Sequence, residues 1–311
     1  MRIVDLHCDT LSAILTGKRS LWENDCHLDV KRAREAGILL QFFALYSGKR
    51  EYSPALRDCL VQVEGLLQTL EQFPDELLFI KTRQDLKELS ADGTRMGCLL
   101  HLEGGEALGM EPEILVIFHR LGLRSLGLTW NYRNQLANGA NEEDNRGGLS
   151  QKGREVLRYM EELGIVLDLA HIAPASFYDA LEHYALPPLV THANARALCS
   201  HRRNLDDSQI KALAERDGVI GVTYVNDFVS VTTPDIDKLI DHLVHISSLV
   251  GTRHLALGSD FDGADDMVLA GVQELPALVN KLPERGFTAE DIENILWKNA
   301  LRVLNAVLPE V

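Results

Sequence analysis

The sequence predicts an α/β protein whose strands close into a (β/α)8 TIM barrel, and three observations carry that expectation. Short runs rich in Val, Ile and Leu recur eight times along the 311 residues. Between them lie longer segments with apolar residues at three- and four-residue intervals, the spacing of one helix face. No linker, low-complexity run or internal repeat breaks the alternation, so residues 1–311 read as a single domain. Near-continuous apolar strands alternating with amphipathic helices mean a parallel sheet covered by helices, and eight such units suffice to close it. An open doubly wound sheet is the alternative. Against it, no G-x-G-x-x-G follows the first run, and the Gly pair of "HLEGGEALG" stands beside carboxylates that would repel a phosphate.

In chain order the expected strands are "RIVDL", "ILLQFFAL", "GCLLHL", "RSLGLT", "GIVLDLA", "PPLVT", "GVIGVTYV" and "HLALGS". The expected helices include "SPALRDCLVQVEGLLQTLEQF", with Ser53 as cap and Pro54 at the first helical position. They also include "QKGREVLRYMEEL", "APASFYDALEHY", "DSQIKALAERDG" and "TPDIDKLIDHLVHISSLVG", the last capped by Thr233 before Pro234. The final segment, "TAEDIENILWKNALRVL", reads as one helix capped by Thr288 with acidic residues in its first turn. The polar stretch "NGANEEDNRGG" reads as one loop.

Composition narrows the function. Lys and Arg number 31 against 46 Asp and Glu, a net charge of −15, and no long basic cluster occurs, which argues against nucleic-acid binding. Five scattered cysteines without a CxxC pair argue against a disulfide framework and a thiolate zinc site. The N-terminus runs straight into the first apolar segment, and "LRVLNAVLPEV" is too short and interrupted for an anchor. The expectation is a cytoplasmic protein without a membrane anchor.

In such a barrel chemistry sits at the C-terminal ends of the strands. The first run ends in His7 and Asp9, the third in Glu103, the fifth in His171, the sixth in His192 and the eighth in Asp260. Any one has a plain structural explanation: a strand-end His is commonly just hydrogen-bonded, and Glu103 alone could cap a turn. Together they differ, because carboxylates buried near one another without a cation are very costly. Imidazole and carboxylate groups converging on one barrel mouth suggest divalent metal, zinc above all, with manganese, iron or cobalt also compatible. Five ligands exceed the needs of one catalytic ion and would serve two that share a carboxylate. Asp5 shares the face of His7 and Asp9 but lies deeper and reads as support. His101 has the parity of Glu103. His27, His119, His183, His242, His245 and His254 fall on helices or strand starts and read as surface residues, and Cys8 as packed between barrel and helix.

The motifs "DLHCDT", "HLEGGEAL", "GLTWNYRN", "GIVLDLAH", "VTHANARALCSHRRN" and "LGSDFDG", in that order across nearly the whole chain, resemble the renal or membrane dipeptidase family, the M19 metallopeptidases of the amidohydrolase superfamily. The resemblance implies a metallohydrolase barrel with two zinc ions that hydrolyses free dipeptides, L-Xaa-D-Xaa among them, with a metal-bridging hydroxide. Carried over by position, His7 and Asp9 hold one ion, His171 and His192 the other, and Glu103 bridges them. Asp260 resembles the proton-shuttling aspartate and Arg203 the arginine that grips the substrate carboxylate, and Gly263, which ends "LGSDFDG", is expected to contact the substrate. Trp130 stands where the animal membrane-bound members carry a His, so it is expected to wall the substrate pocket. Phe228, and with it Tyr224 and Asn226, is expected to line the same pocket. The alternative reading keeps the metals and changes the bond, to another small amide, a lactam or an ester. A homodimer is compatible with the resemblance.

Overall fold

The computed structural model describes residues 1–17, 19–142 and 146–310. Residues 143–145 of the expected "NGANEEDNRGG" loop and the last residue of the C-terminal segment lie outside them. The eight expected strands form at Ile3–Cys8 (β1), Ile38–Leu45 (β2), Met96–Glu103 (β4), Leu123–Gly127 (β5), Val166–Asp168 (β6), Leu189–Val190 (β7), Val219–Val222 (β8) and Leu255–Leu257 (β9). They are hydrogen-bonded in parallel in the ring β2-β1-β9-β8-β7-β6-β5-β4, and β4 pairs back to β2 from Leu40↔Gly97 to Leu45↔Leu102, so the barrel closes.

One strand was not expected. Leu77–Phe79 (β3) pairs with Met96–Cys98 of β4, and β5 takes up the same edge from Leu100 onward. Three residues are too few for a periodic signal, so the segment is a strand because β4 offers it an edge. Later strands are shorter than their apolar runs: "GVIGVTYV" leaves the ladder at Val222, and "PPLVT" contributes two residues.

Two caps differ from expectation. Helix Tyr52–Gln72 begins before Ser53, and Glu51 precedes it without a side-chain cap bond. Helix Ile236–Val250 is capped by Asp235, whose Oδ1 accepts the Lys238 N–H at 2.8 Å; Thr233 lies outside it. Thr288 does cap the C-terminal segment in a reciprocal box with Asp291. That segment is not one regular helix: a π-helical turn, Asn294–Lys298, separates Ala289–Glu293 from Asn299–Val307. Asn299 then donates to the carbonyls of Thr252 at 2.7 Å and Leu255 at 2.8 Å, tying the last helix to the start of β9. Among the described residues no helix is long and apolar enough to cross a membrane.

Of the histidines expected at the surface, His242 is buried. Its Nδ1 accepts the Ala195 N–H at 3.1 Å, and its Nε2 lies 2.9 Å from the Val229 carbonyl. Ile236–Val250 packs against Asp207–Glu215, and periodicity alone does not say which flank of an amphipathic helix is covered.

Candidate metal centre

Five strand tips supply the centre. His7 is the last residue but one of β1, with Asp9 one residue beyond the strand; Glu103 ends β4; His192 follows β7 by two residues. His171 and Asp260 follow β6 and β9 by three, and both adopt the left-handed backbone region, φ 62° and 64°. That conformation costs a non-glycine residue about 1–3 kcal/mol and persists only where the surroundings enforce it. Here the Ala140 N–H donates to the His171 carbonyl at 2.7 Å, and the Asp260 N–H donates to the His7 carbonyl at 3.1 Å. The two sharp turns aim both side chains back across the barrel mouth.

The groups meet closely. His171 Nε2 lies 2.9 Å and His192 Nε2 3.6 Å from Glu103 Oε1, and the two ring nitrogens are 2.8 Å apart. His7 Nε2 lies 3.2 Å from Asp9 Oδ2, 3.5 Å from Glu103 Oε1 and 3.8 Å from Asp260 Oδ1. Within this cluster three trios have donor atoms near enough to hold a cation: His7, Asp9 and Glu103; Glu103, His171 and His192; His7, His192 and Asp260.

A supporting layer sets which ring nitrogens are free. Asp168 is fully buried and accepts three bonds, from the N–H groups of Ala170 and Thr191 and from the Thr191 hydroxyl at 2.8 Å. With its proton given to Asp168, Thr191 Oγ1 accepts from His192 Nδ1 at 2.8 Å. Asn131 Oδ1 likewise sits 2.8 Å from His171 Nδ1. Both rings then carry their proton on Nδ1 and present an Nε2 lone pair to the centre. Asp5 plays the supporting part expected of it. It accepts from the Ser259 N–H at 2.7 Å, the Ser259 hydroxyl at 2.6 Å and Gln41 at 2.9 Å, and so fixes the residue before Asp260. His101 reaches this layer and not the ion trios, with Nε2 3.4 Å from Asp168 and Nδ1 3.0 Å from the Ser125 hydroxyl.

Burial and mutual repulsion shape the charges. Burial, then the charge of Asp9, holds the Glu103 carboxyl well above the usual range. Burial, with Asp9 adding to it, pushes Asp260 up to about 7. Burial acts to lower the His7 pKa, but Glu103, Asp9 and Asp260 together override it and raise it to about 10. Burial first, and then positive neighbours, depresses His171 and His192, which keeps them neutral.

These residues fit divalent cations. Two lone-pair nitrogens face one another, three carboxylates crowd one imidazole, and Asp9 Oδ1 and His7 Nδ1 are buried with no hydrogen-bond partner. Gly263 points the same way: a Cβ there would stand 2.2 Å from Asp260 Oδ1 and 2.5 Å from Asp9 Oδ2, so the chain leaves the carboxylates room. Imidazole nitrogen with carboxylate oxygen is the donor set of zinc and its first-row neighbours.

The centre opens into a cavity of ≈ 190 Å³ whose wall includes Asp9, Glu103, His171 and Asp260, and also Trp130, Phe228 and Gly263. Tyr224 and Asn226 are not part of that wall; Val225, between them, is. Arg203 is buried behind the wall. Its Nη2 donates to the His192 carbonyl at 3.1 Å, its guanidinium carbon lies 5.6 Å from the Phe228 ring centre, and its Nε has no acceptor. Sequence reasoning missed Tyr46, Asn131 and Ser12 in the wall. Tyr46 had a signal, since it directly follows β2. Asn131 had a weaker one, in "GLTWNYRN".

The sequence model of the membrane dipeptidase family, peptidase family M19, matches residues 1–309. Dipeptidase tcpJ of Claviceps purpurea is 30% identical over 296 residues, covering 90% of this chain and 69% of the relative. Among solved structures, dipeptidase AC, a metallo peptidase of family M19, superposes with a TM-score of 0.92 at 27% identity over 99% of both chains. A metallo peptidase from Rhodobacter sphaeroides, liganded with a phosphinate mimic of the dipeptide L-Ala-D-Ala, gives 0.91 at 26% identity, again over 99% of both.

Proposed function

From the premise that the chain belongs to the membrane dipeptidase family, peptidase family M19, and is a metallo-dipeptidase of it, we propose that it hydrolyses free dipeptides at a pair of divalent ions. His7, Asp9 and Glu103 would hold one ion and His171, His192 and Glu103 the other, with zinc the ion their donor atoms suit. Bound there, such ions acidify water and polarise a carbonyl, which is the chemistry that peptide hydrolysis lacks at neutral pH.

The remaining steps belong to this chain's residues. Asp260 borders the cavity beside the proposed ion ligands, placed to take a proton and give it back. The water oxygen adds to the carbonyl carbon and its proton passes to Asp260. When the C–N bond breaks, Asp260 returns that proton to the departing amine. Trp130 and Phe228 exclude bulk water from the wall. The buried Arg203 Nε lacks an acceptor, and a substrate carboxylate would supply one to a guanidinium that cannot shed its charge.

The observation that carries this reading is the sharing of Glu103 Oε1 by His7, His171 and His192, at 3.5, 2.9 and 3.6 Å. The test is turnover of unblocked dipeptides by metal-reconstituted protein, with L- and D-residues at the C-terminal position, alongside N-blocked dipeptides and tripeptides. Cleavage of the blocked and longer peptides with free dipeptides untouched would overturn it. A second reading, hydrolysis of a lactam, ester or other small amide, is favoured by one fact: Arg203 stands behind the cavity wall. If Arg203→Ala turned over dipeptides like the unaltered protein, recognition of the substrate carboxylate by Arg203 would not be central, and that reading would gain.

A further inference from the structure

The cavity over the metal centre does not end at Trp130. A second compartment of ≈ 120 Å³ adjoins it and shares Tyr46, Glu103 and Trp130 as common wall, with Lys49, Arg50, Glu106 and Tyr132 beyond. Trp130 stands between the two, its ring 5.5 Å from those of both Tyr46 and Tyr132. Ligand pockets that hold a whole small molecule run to about 300 Å³ or more, so this space suits one side chain.

Its charges are unusual for a protein of net charge −15. Arg50 packs on Tyr132, its guanidinium carbon 3.9 Å from the ring centre, which holds a long side chain in place. Among the described residues, neither Arg50 nor Lys49 has an ion pair or a side-chain hydrogen bond. The one carboxylate at the far wall, Glu106, is half-buried and accepts from Asn134 at 3.2 Å.

Position selects which substrate residue would arrive here. In the closed ring β7 lies four strands from β2 in either direction. The Arg203 loop, after β7, therefore stands across the barrel mouth from the Tyr46–Arg50 loop, after β2. A dipeptide with its C-terminal carboxylate toward Arg203 and its peptide carbonyl over Glu103 directs its N-terminal residue toward Lys49 and Arg50.

We propose that this compartment selects dipeptides with an acidic N-terminal residue, Asp or Glu, whose side-chain carboxylate pairs with Arg50 and Lys49 while the α-ammonium group faces Glu106. One anion and one cation on the substrate meet Arg50, Lys49 and, beyond the proposed ion ligand Glu103, the carboxylate of Glu106 on the wall. This assignment rests on the dipeptidase reading above, and it adds a residue preference that comes from Arg50, Lys49 and Glu106.

The test compares kcat/KM for Glu-Ala, Gln-Ala and Lys-Ala with metal-loaded protein, using Ala-Ala as reference, and calorimetric binding of phosphinate analogues with N-terminal Glu or Lys. The expected result is an advantage of Glu-Ala over Lys-Ala of about tenfold or more, the usual worth of a charge-assisted bond, carried by KM. Arg50→Glu should invert the ratio of the two substrates, and Arg50→Ala should flatten it. Equal kcat/KM for the three, or a ratio untouched by Arg50→Glu, overturns the assignment while Ala-Ala turnover upholds the dipeptidase. If no dipeptide is cleaved, the dipeptidase reading fails, and the two analogues decide on the compartment: tighter binding of the Glu form supports it, and equal binding overturns it.

Discussion

His171 Nε2 and His192 Nε2 face each other at 2.8 Å, each with its other ring nitrogen held by a hydrogen-bond acceptor. Two neutral imidazoles oriented this way put lone pair against lone pair, and burial keeps both neutral. A cation held between them relieves that opposition. His171→Ala should therefore lose about one divalent ion per chain and nearly all activity, read by elemental analysis and a dipeptide assay. Unchanged metal content and unchanged turnover would refute the metal-centre assignment.

Asp260→Asn keeps the shape and a hydrogen-bonding oxygen but cannot carry a proton. The expected outcome is a fall in kcat of roughly 100- to 10,000-fold with metal content retained. Loss of metal in step with activity would instead make Asp260 an ion ligand, as its place in the trio with His7 and His192 allows.

Gly263→Ala tests the crowding of the carboxylates. The new methyl would stand 2.2 Å from Asp260 Oδ1 and 2.5 Å from Asp9 Oδ2, so those groups must move. Gly263 itself is not in the left-handed region, so its backbone accepts alanine. Activity should drop sharply while the thermal midpoint changes little; a fully active variant would show that the carboxylates have slack.

The metal-free protein should hold a proton on His7 at neutral pH, because its neighbouring carboxylates raise its pKa to about 10. Ligation needs the neutral ring, so metal binding at pH 7 must expel that proton, and affinity should climb as pH rises toward about 10. Calorimetry in buffers of different ionisation enthalpy reads the released proton directly. Identical heats in all buffers would contradict it.

Much of the centre was legible because strand ends are local features. His7, Asp9, Glu103, His171, His192 and Asp260 each follow an apolar run, and a parallel barrel turns that into spatial convergence. Asp5 was legible for the same reason, by parity with His7. Tyr46 was equally readable at the end of β2. The partners of the ligands were not: Asp168 and Thr191 are 23 residues apart, and Asp5 and Ser259 are 254 apart. No spacing rule links such pairs. β3 escaped because three residues carry no period, and His242 because its helix could have turned that flank to solvent.

The sequence by itself determined the alternation of strand and helix, the barrel, and the residue types at its mouth, since period and apolar content act within a few residues of chain. Only the tertiary structure decided what those residues do to one another. The left-handed turns at His171 and Asp260, the free Nε2 lone pairs, the place of Arg203 behind the wall and the unpaired Arg50 beside Tyr132 all depend on contacts between distant segments. Burial, hydrogen-bond geometry and charge proximity are properties of the closed barrel, and no local pattern encodes them.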